Sequence, residues 1–244
     1  MTSKNFTHNW ATIPKLKQIN TPEGRRYLIE GTETKYPSIT TVLGDTSDKS
    51  SFFEWRKRVG EEKANAISRA ATTRGTSMHK LCERYLLNEQ VDAPMPTAAE
   101  DLAFEGITKG DWTAGQLMFS GIRESLHQID NVRLLETAMY SHRLKVAGTV
   151  DCVAEYNGVL SVIDFKTSRR FKSKDSIDDY FMQGAFYLQA FHEITGELPK
   201  QIVIMISIQD GTCVNHVISG KEIIHFAKKL DERIKAYIYN RSNK

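Results

Sequence analysis

The sequence predicts an α/β fold, a central mixed sheet flanked by helices with an additional helical region beside it. Three observations predict it. Val159–Phe165 is an almost wholly apolar run, as a central strand buried on both faces requires. Asn157-Gly158 just before it accepts positive φ, and so joins it in a tight hairpin to the alternating run Thr149–Tyr156. Around that hairpin, helix-like segments (Ser51–Leu87, Thr113–Ile129, Asp178–Ile194, Lys221–Tyr239) are interspersed with strand-like ones at Val132–Leu144, Gln201–Gln209 and Thr212–Ile218.

At 244 residues the chain suits one sizeable domain with a real core. Residues 1–35 are polar and poorly periodic, an N-terminal extension with a short strand over Arg26–Glu30. Residues 36–244 form a single domain, mainly helical over 36–130 and carrying the sheet and closing helices over 131–244. Ser38 follows Pro37 and precedes an apolar-periodic run, so it is a helix N-cap; Ser38, Thr40, Thr41 and the free N–H groups there could equally hold a phosphate. Phe52, Phe53, Trp55 and Val59 are interleaved with Arg56, Lys57 and Arg58. Aromatics among cations suit stacking on single-stranded bases, and an amphipathic core helix gives the same pattern. The helix breaks near Thr72–Gly75 and resumes over Thr76–Leu87. Gln90–Pro96, with two prolines, reads as a linker, and Ala98–Lys109 as a further helix.

Composition removes several function classes. Hydrophobic content of 40% and charged content of 26% are those of a soluble globular protein, and a net charge of +3 permits nucleic-acid binding without arguing for it. Three scattered cysteines with no CxxC pair speak against structural zinc and a disulfide framework. No apolar stretch spans a membrane and the first residues lack a secretory apolar core, so the expected setting is intracellular and cytoplasmic, with no membrane partner.

The chemistry concentrates at the end of the apolar strand. Asp164 and Lys166 project to one side with Phe165 turned away, and Asp151 on the partner strand brings a second carboxylate alongside. Two carboxylates with carbonyl and water oxygens suit one or two Mg²⁺ or Mn²⁺ ions. A neighbouring ammonium can lower the pKa of an attacking water or neutralise charge on a phosphate. An ordinary ion pair at a strand end is the alternative for the triplet alone. Beyond it, Thr167, Ser168, Arg169, Arg170, Lys172 and Lys174 make either a phosphate-contact loop or a solvated charged one.

Taken together, Gly148-Thr149-Val150-Asp151-Cys152-Val153-Ala154, Ile163-Asp164-Phe165-Lys166-Thr167-Ser168 and Gln183…Tyr187 resemble the PD-(D/E)XK nuclease superfamily. Within it they resemble the RecB-like branch, and most of all the mitochondrial genome maintenance and phage-type exonucleases. The resemblance runs from about Tyr36 to the C-terminus. It implies a restriction-endonuclease-like core, with residues 36–130 on the side of a DNA channel. It implies a cation held by His79, Asp151, Asp164 and the Phe165 carbonyl, with Glu83 able to orient His79. Arg74 and Gly75 would sit near substrate phosphate, and Gln183 and Tyr187 would fix the scissile phosphate or water. Glu136 matches a glutamate that often precedes the paired acids, though an exposed strand glutamate reads the same way. Some relatives hold an iron–sulfur cluster on four cysteines, which three cannot supply. The implied activity is Mg- or Mn-dependent exonucleolysis of single-stranded DNA ends, in replication, recombination or degradation, in a host cytoplasm if phage-encoded. A duplex exonuclease of the phage recombination type shares the core. A sequence-specific endonuclease would need a base-reading element, and none is visible. A DNA-binding relic would be expected to have lost one of Asp151, Asp164 and Lys166.

Overall fold

The computed structural model describes residues 4–91 and 109–243. Nearly all of the expected linker Gln90–Pro96 and helix Ala98–Lys109 lies outside them. Three strands come first, β1 (Leu16–Thr21), β2 (Gly24–Ile29) and β3 (Lys35–Pro37), paired as a small antiparallel sheet. Helices α1 (Ile39–Thr46), α2 (Ser50–Val59), α3 (Glu61–Leu86) and α4 (Lys109–Leu126) follow. The chain then builds a five-stranded sheet in sequence order from β4 (Ile129–Ser141), β5 (Val146–Tyr156), β6 (Val159–Ser168), β7 (Gln201–Ile208) and β8 (Cys213–Ser219). Helix α5 (Asp178–Thr195) carries the chain from β6 to β7, and α6 (Lys221–Ser242) closes it. Only β6 and β7 run parallel, which is why a helical crossover joins them while the other pairs need only turns. Those turns use the expected residues: Asn157 and Gly158 sit at φ 51° and 76°, and Gly211 at 88°.

The sheet is buried on both faces. Val150, Val162, Ile204 and Ile206 pack with Phe181, Phe186 and Phe191 of α5 and with α1 and α6. Ile163, Phe165, Val203 and Met205 pack with Met78, Leu81 and Cys82 of α3 and Met118 and Ile122 of α4. Among the described residues no helix is long and apolar enough to cross a membrane.

Two expectations need correction. α3 does not break at Thr72–Gly75 but runs unbroken for 26 residues. The hydroxyls of Thr72, Thr73, Thr76 and Ser77 each donate to the carbonyl four residues back, so these residues satisfy themselves inside the helix instead of ending it. The second concerns residues 1–35. Phe6 and Tyr27 are core residues at 3% and 2% exposure. Asn9 and Ala11 donate to the carbonyls of Val132 and Arg133, and Val132 donates to that of Thr7, which lays this segment along β4. Tyr27 reaches further, its phenol 3.0 Å from the Thr149 hydroxyl on β5. Tyr27→Phe is expected to cost about 1 kcal/mol of stability. That is a fall of about 2–4 °C in melting temperature for a chain of this size, readable by calorimetry.

Candidate active site

β5 and β6 place the two aspartates side by side. Asp164 is 1% exposed. The Lys166 ammonium lies 2.5 Å from its Oδ2, an ion pair by distance, yet neither carboxylate oxygen has a well-aligned hydrogen bond. Burial pushes the Asp164 carboxyl up to about 6, with Lys166 opposing and Asp151 adding to the rise. Burial also works against charge on Lys166, but Asp164 and Asp151 overcome it and hold the ammonium above the ordinary lysine value. Asp151 is buried, and its Oδ2 accepts from the Phe165 N–H at 2.7 Å. Its Oδ1 is left facing His79, 3.6 Å from Nδ1.

His79 reaches the sheet from α3. Its Nε2 donates to the Phe165 carbonyl at 2.7 Å, which fixes the ring and turns Nδ1 towards the acids. Glu136 completes the cluster, its Oε1 3.5 Å from the same nitrogen. One ligand atom each from His79, Glu136 and Asp151 fall within 4.8 Å of one another. Burial disfavours a charged imidazole here, but Asp151 and Glu136 raise it to about 9 against that and against Lys166.

The position of Glu136 depends on a distortion of the sheet. Leu135 pairs with Cys152 and Thr137 with Val150, so Glu136 lies across from Asp151. Glu136 has φ 41°, a left-handed value that costs a residue with a side chain on the order of 1 kcal/mol or more. Leu134 and Met139 pack into the same core cluster, as do Val150 and Val153. Each pair is separated by an odd number of residues, which a regular strand would send to opposite faces. Both strands therefore switch faces around this point, and the switch delivers both carboxylates to His79.

The other expected site residues divide. Glu83 does not orient His79; it pairs with Lys80 at 3.1 Å and lines the cleft, while the Phe165 carbonyl does the orienting. Tyr187 is 1% exposed and donates to the Thr149 carbonyl at 2.5 Å, with Gln183 Nε2 3.4 Å from its hydroxyl. Buried and committed in this way, Tyr187 holds the strand bearing Asp151 and does not reach a phosphate. The Ser38 hydroxyl caps α1 through the Thr41 N–H at 3.0 Å, meets the Thr40 and Thr41 hydroxyls at 2.9 and 2.8 Å, and is itself buried; Thr40 is exposed. The Ser168 hydroxyl is used up bonding the Arg170 carbonyl at 2.6 Å.

Gly75 faces Thr167, where a Cβ would lie 3.7 Å from the hydroxyl. Arg74 has a buried Nε with no partner, and burial followed by the Arg169 guanidinium hold it below its ordinary value. Two guanidiniums thus lie near enough to repel each other, an arrangement that an anion would relieve. Trp55 and Arg56 are on α2, away from this group. A cleft of about 690 Å³ opens over the site, lined by Gly75, Thr76, His79, Lys80, Glu83 and Glu136.

The PD-(D/E)XK nuclease superfamily profile matches residues 51–236, which contain every member of this cluster. The chain belongs to the PD-(D/E)XK nuclease superfamily. Among curated proteins it is similar to mitochondrial genome maintenance exonuclease 1 of Homo sapiens, 27% identical over 220 residues, 85% of this chain and 59% of that protein. The Mus musculus protein is 28% identical over 186 residues, 72% of this chain and 51% of its own length. The chain thus spans about half to three fifths of the curated relatives it matches. Among solved structures, a candidate exonuclease of Eubacterium rectale aligns over 69% of this chain and 67% of its own. At 15% identity and a TM-score of 0.42 it is too distant to bear on function.

The residues present fit the divalent cation that the superfamily implies. Asp164 has two buried oxygens without aligned donors, and His79, Glu136 and Asp151 offer hard oxygens with one imidazole. A cation must displace the proton of an imidazolium that titrates near 9. Cation affinity should therefore climb from pH 7 by up to about tenfold per unit and level off above pH 9. Mn²⁺ titration calorimetry in two buffers of different ionisation enthalpy would check it through the proton released at neutral pH.

Proposed function

We propose that this nuclease-superfamily chain is a metal-dependent DNA exonuclease that works from the ends of single-stranded DNA. The observation that carries the reading is one juxtaposition: the buried Asp164–Lys166 pair beside the His79, Glu136 and Asp151 cluster, beneath an open cleft. In this reading Asp151, Asp164, His79 and Glu136, with the second lone pair of the Phe165 carbonyl, hold one or two Mg²⁺ or Mn²⁺ ions. A bound cation supplies Lewis-acid polarisation of a phosphate oxygen and a more acidic water. Lys166, held protonated by two aspartates, stabilises negative charge building on the phosphate and does not act as a base. Arg74, Arg169 and Thr167 orient the neighbouring phosphates, with Thr40 and Thr41 as a further contact at the start of α1. Gln183 and Tyr187 act through Thr149 on the position of Asp151.

The name of the curated relatives supports exonuclease action, and the setting we propose is DNA replication, recombination or degradation of the phage type in a reducing cytoplasm. Three free cysteines suit that compartment. Digestion of linear single-stranded DNA, linear duplex and circular single-stranded DNA with Mg²⁺ or Mn²⁺ tests the reading. Linear single strands should be degraded and circles left whole. Preferential loss of duplex would move the assignment to a duplex exonuclease, and nicking of circles to an endonuclease. Binding without any cleavage would leave a DNA-binding relic.

A further inference from the structure

Helix α2 carries the apolar residues of a core helix and buries none of them. Phe52 and Phe53 are 44% and 56% exposed. Its rings hold one another instead: Phe52 and Phe53 meet edge-on at 6.0 Å, and Phe52 and Trp55 at 5.8 Å, tilted by 34°. Arg56 lies 5.6 Å over the Phe52 ring and is tied to Glu61 and Asn65 of α3, which fixes the cluster to the next helix. Lys57 and Arg58 stand exposed beside it.

Beyond Gly60, α3 runs unbroken to His79, about 27 Å further along at about 1.5 Å per residue. Through residues 61–75 only Ala64 is buried. The platform and the candidate active site are therefore two stations along one continuous helix. A protein partner covering these rings would have to bury Arg56, Lys57 and Arg58 with them, whereas a nucleic acid brings the opposite charge. Duplex bases are already stacked on one another; unpaired bases are free to lie on rings, with the backbone held by the interleaved cations.

We propose that α2 is a stacking platform for the unpaired bases of a single-stranded DNA whose end lies at the His79–Asp151 cluster. The proposal rests on the nuclease reading above and deepens it by naming what holds the strand away from the cut. At the stacked spacing of about 3.4 Å, the platform meets bases about eight nucleotides from the site.

Phe52→Ala/Trp55→Ala tests it, with circular dichroism to verify the helices and Phe52→Tyr/Trp55→Phe as the conservative variant. Binding would be read by fluorescence anisotropy in EDTA on a labelled oligothymidylate of about 16 nucleotides and on an abasic strand of equal length. Cleavage of an oligomer of about 4 nucleotides would be read with Mn²⁺. The alanine variant is expected to weaken oligothymidylate binding by about tenfold or more, and the conservative variant to restore it. Binding of the abasic strand and cleavage of the short oligomer should be unchanged. Wild-type affinity in the alanine variant, or an equal loss on the abasic strand, would overturn the platform alone. A wild-type protein that neither binds nor cuts any DNA would overturn the nuclease reading and the platform with it.

Discussion

Lys166→Ala is expected to lower turnover by about 10³-fold and the melting temperature by about 6–12 °C. The first effect follows from removing an ammonium held beside the acids, where loss of a single preorganised donor to charge developing on the phosphate costs about 10²–10³. The second follows from leaving Asp164 charged and 1% exposed with no partner. Breaking such a pair costs about 3 kcal/mol, at about 2–4 °C for each. Its pH dependence separates the two. In the wild type Asp164 titrates near 6, with Lys166 as the largest influence holding it down. Without the ammonium the carboxyl rises further and is the more readily neutralised. The stability deficit should therefore be largest above pH 7, where Asp164 must be buried as an anion. It should shrink as pH falls below 6, where the carboxyl is neutral in both proteins. Melting curves from pH 5 to 8 beside single-turnover cleavage would measure both, and a deficit that grows towards pH 5 would rule out this account of the pair.

Gly148→Ala is expected to reduce cleavage by about 10²-fold from a single added methyl group outside the cleft. A Cβ at this position would lie 2.9 Å from both the Tyr187 hydroxyl and Ile39 Cγ2. Both neighbours are buried, so β5 itself must give way. Asp151 lies on that strand three residues further on, and a displacement of about 1 Å at a reacting group costs about 10²-fold. Stability should fall by about 1–3 kcal/mol in the same variant. Because Tyr187 also donates to the Thr149 carbonyl, Gly148→Ala crowds and Tyr187→Phe removes the same hydroxyl, and the two effects together should be less than their sum. Measuring kcat and cation affinity for the two single variants and the double variant would show it. Unchanged turnover in Gly148→Ala would mean that the close fit around Tyr187 has no hold on Asp151.

The residues that could be read directly are those whose signals are local. The β5–β6 hairpin announced itself through Asn157-Gly158 and the apolar run after it, and Asp164 and Lys166 followed from the strand period. His79 needed the family resemblance as a whole, since one histidine on a helix carries no message. Glu136 stood in doubt because its role is made by φ 41° and a face switch shared between two strands, neither of which the hydropathy pattern encodes. β1 escaped notice because it is only partly buried, without clean alternation. α2 shows the opposite failure: its apolar spacing is that of a packed helix, and the rings remain in water.

The course of the first residues beside β4 has a further consequence. β4 is the outermost strand of the five-stranded sheet, and a bare outer strand presents a row of peptide groups to which another chain can add. Thr7, Asn9 and Ala11 occupy that row at Val132 and Arg133, so the protein shields this margin with an earlier segment of its own chain. During synthesis that shield emerges long before the strand it covers. It must wait unpaired while about 120 further residues are made, and the newly formed sheet has one margin open to self-association until the two meet.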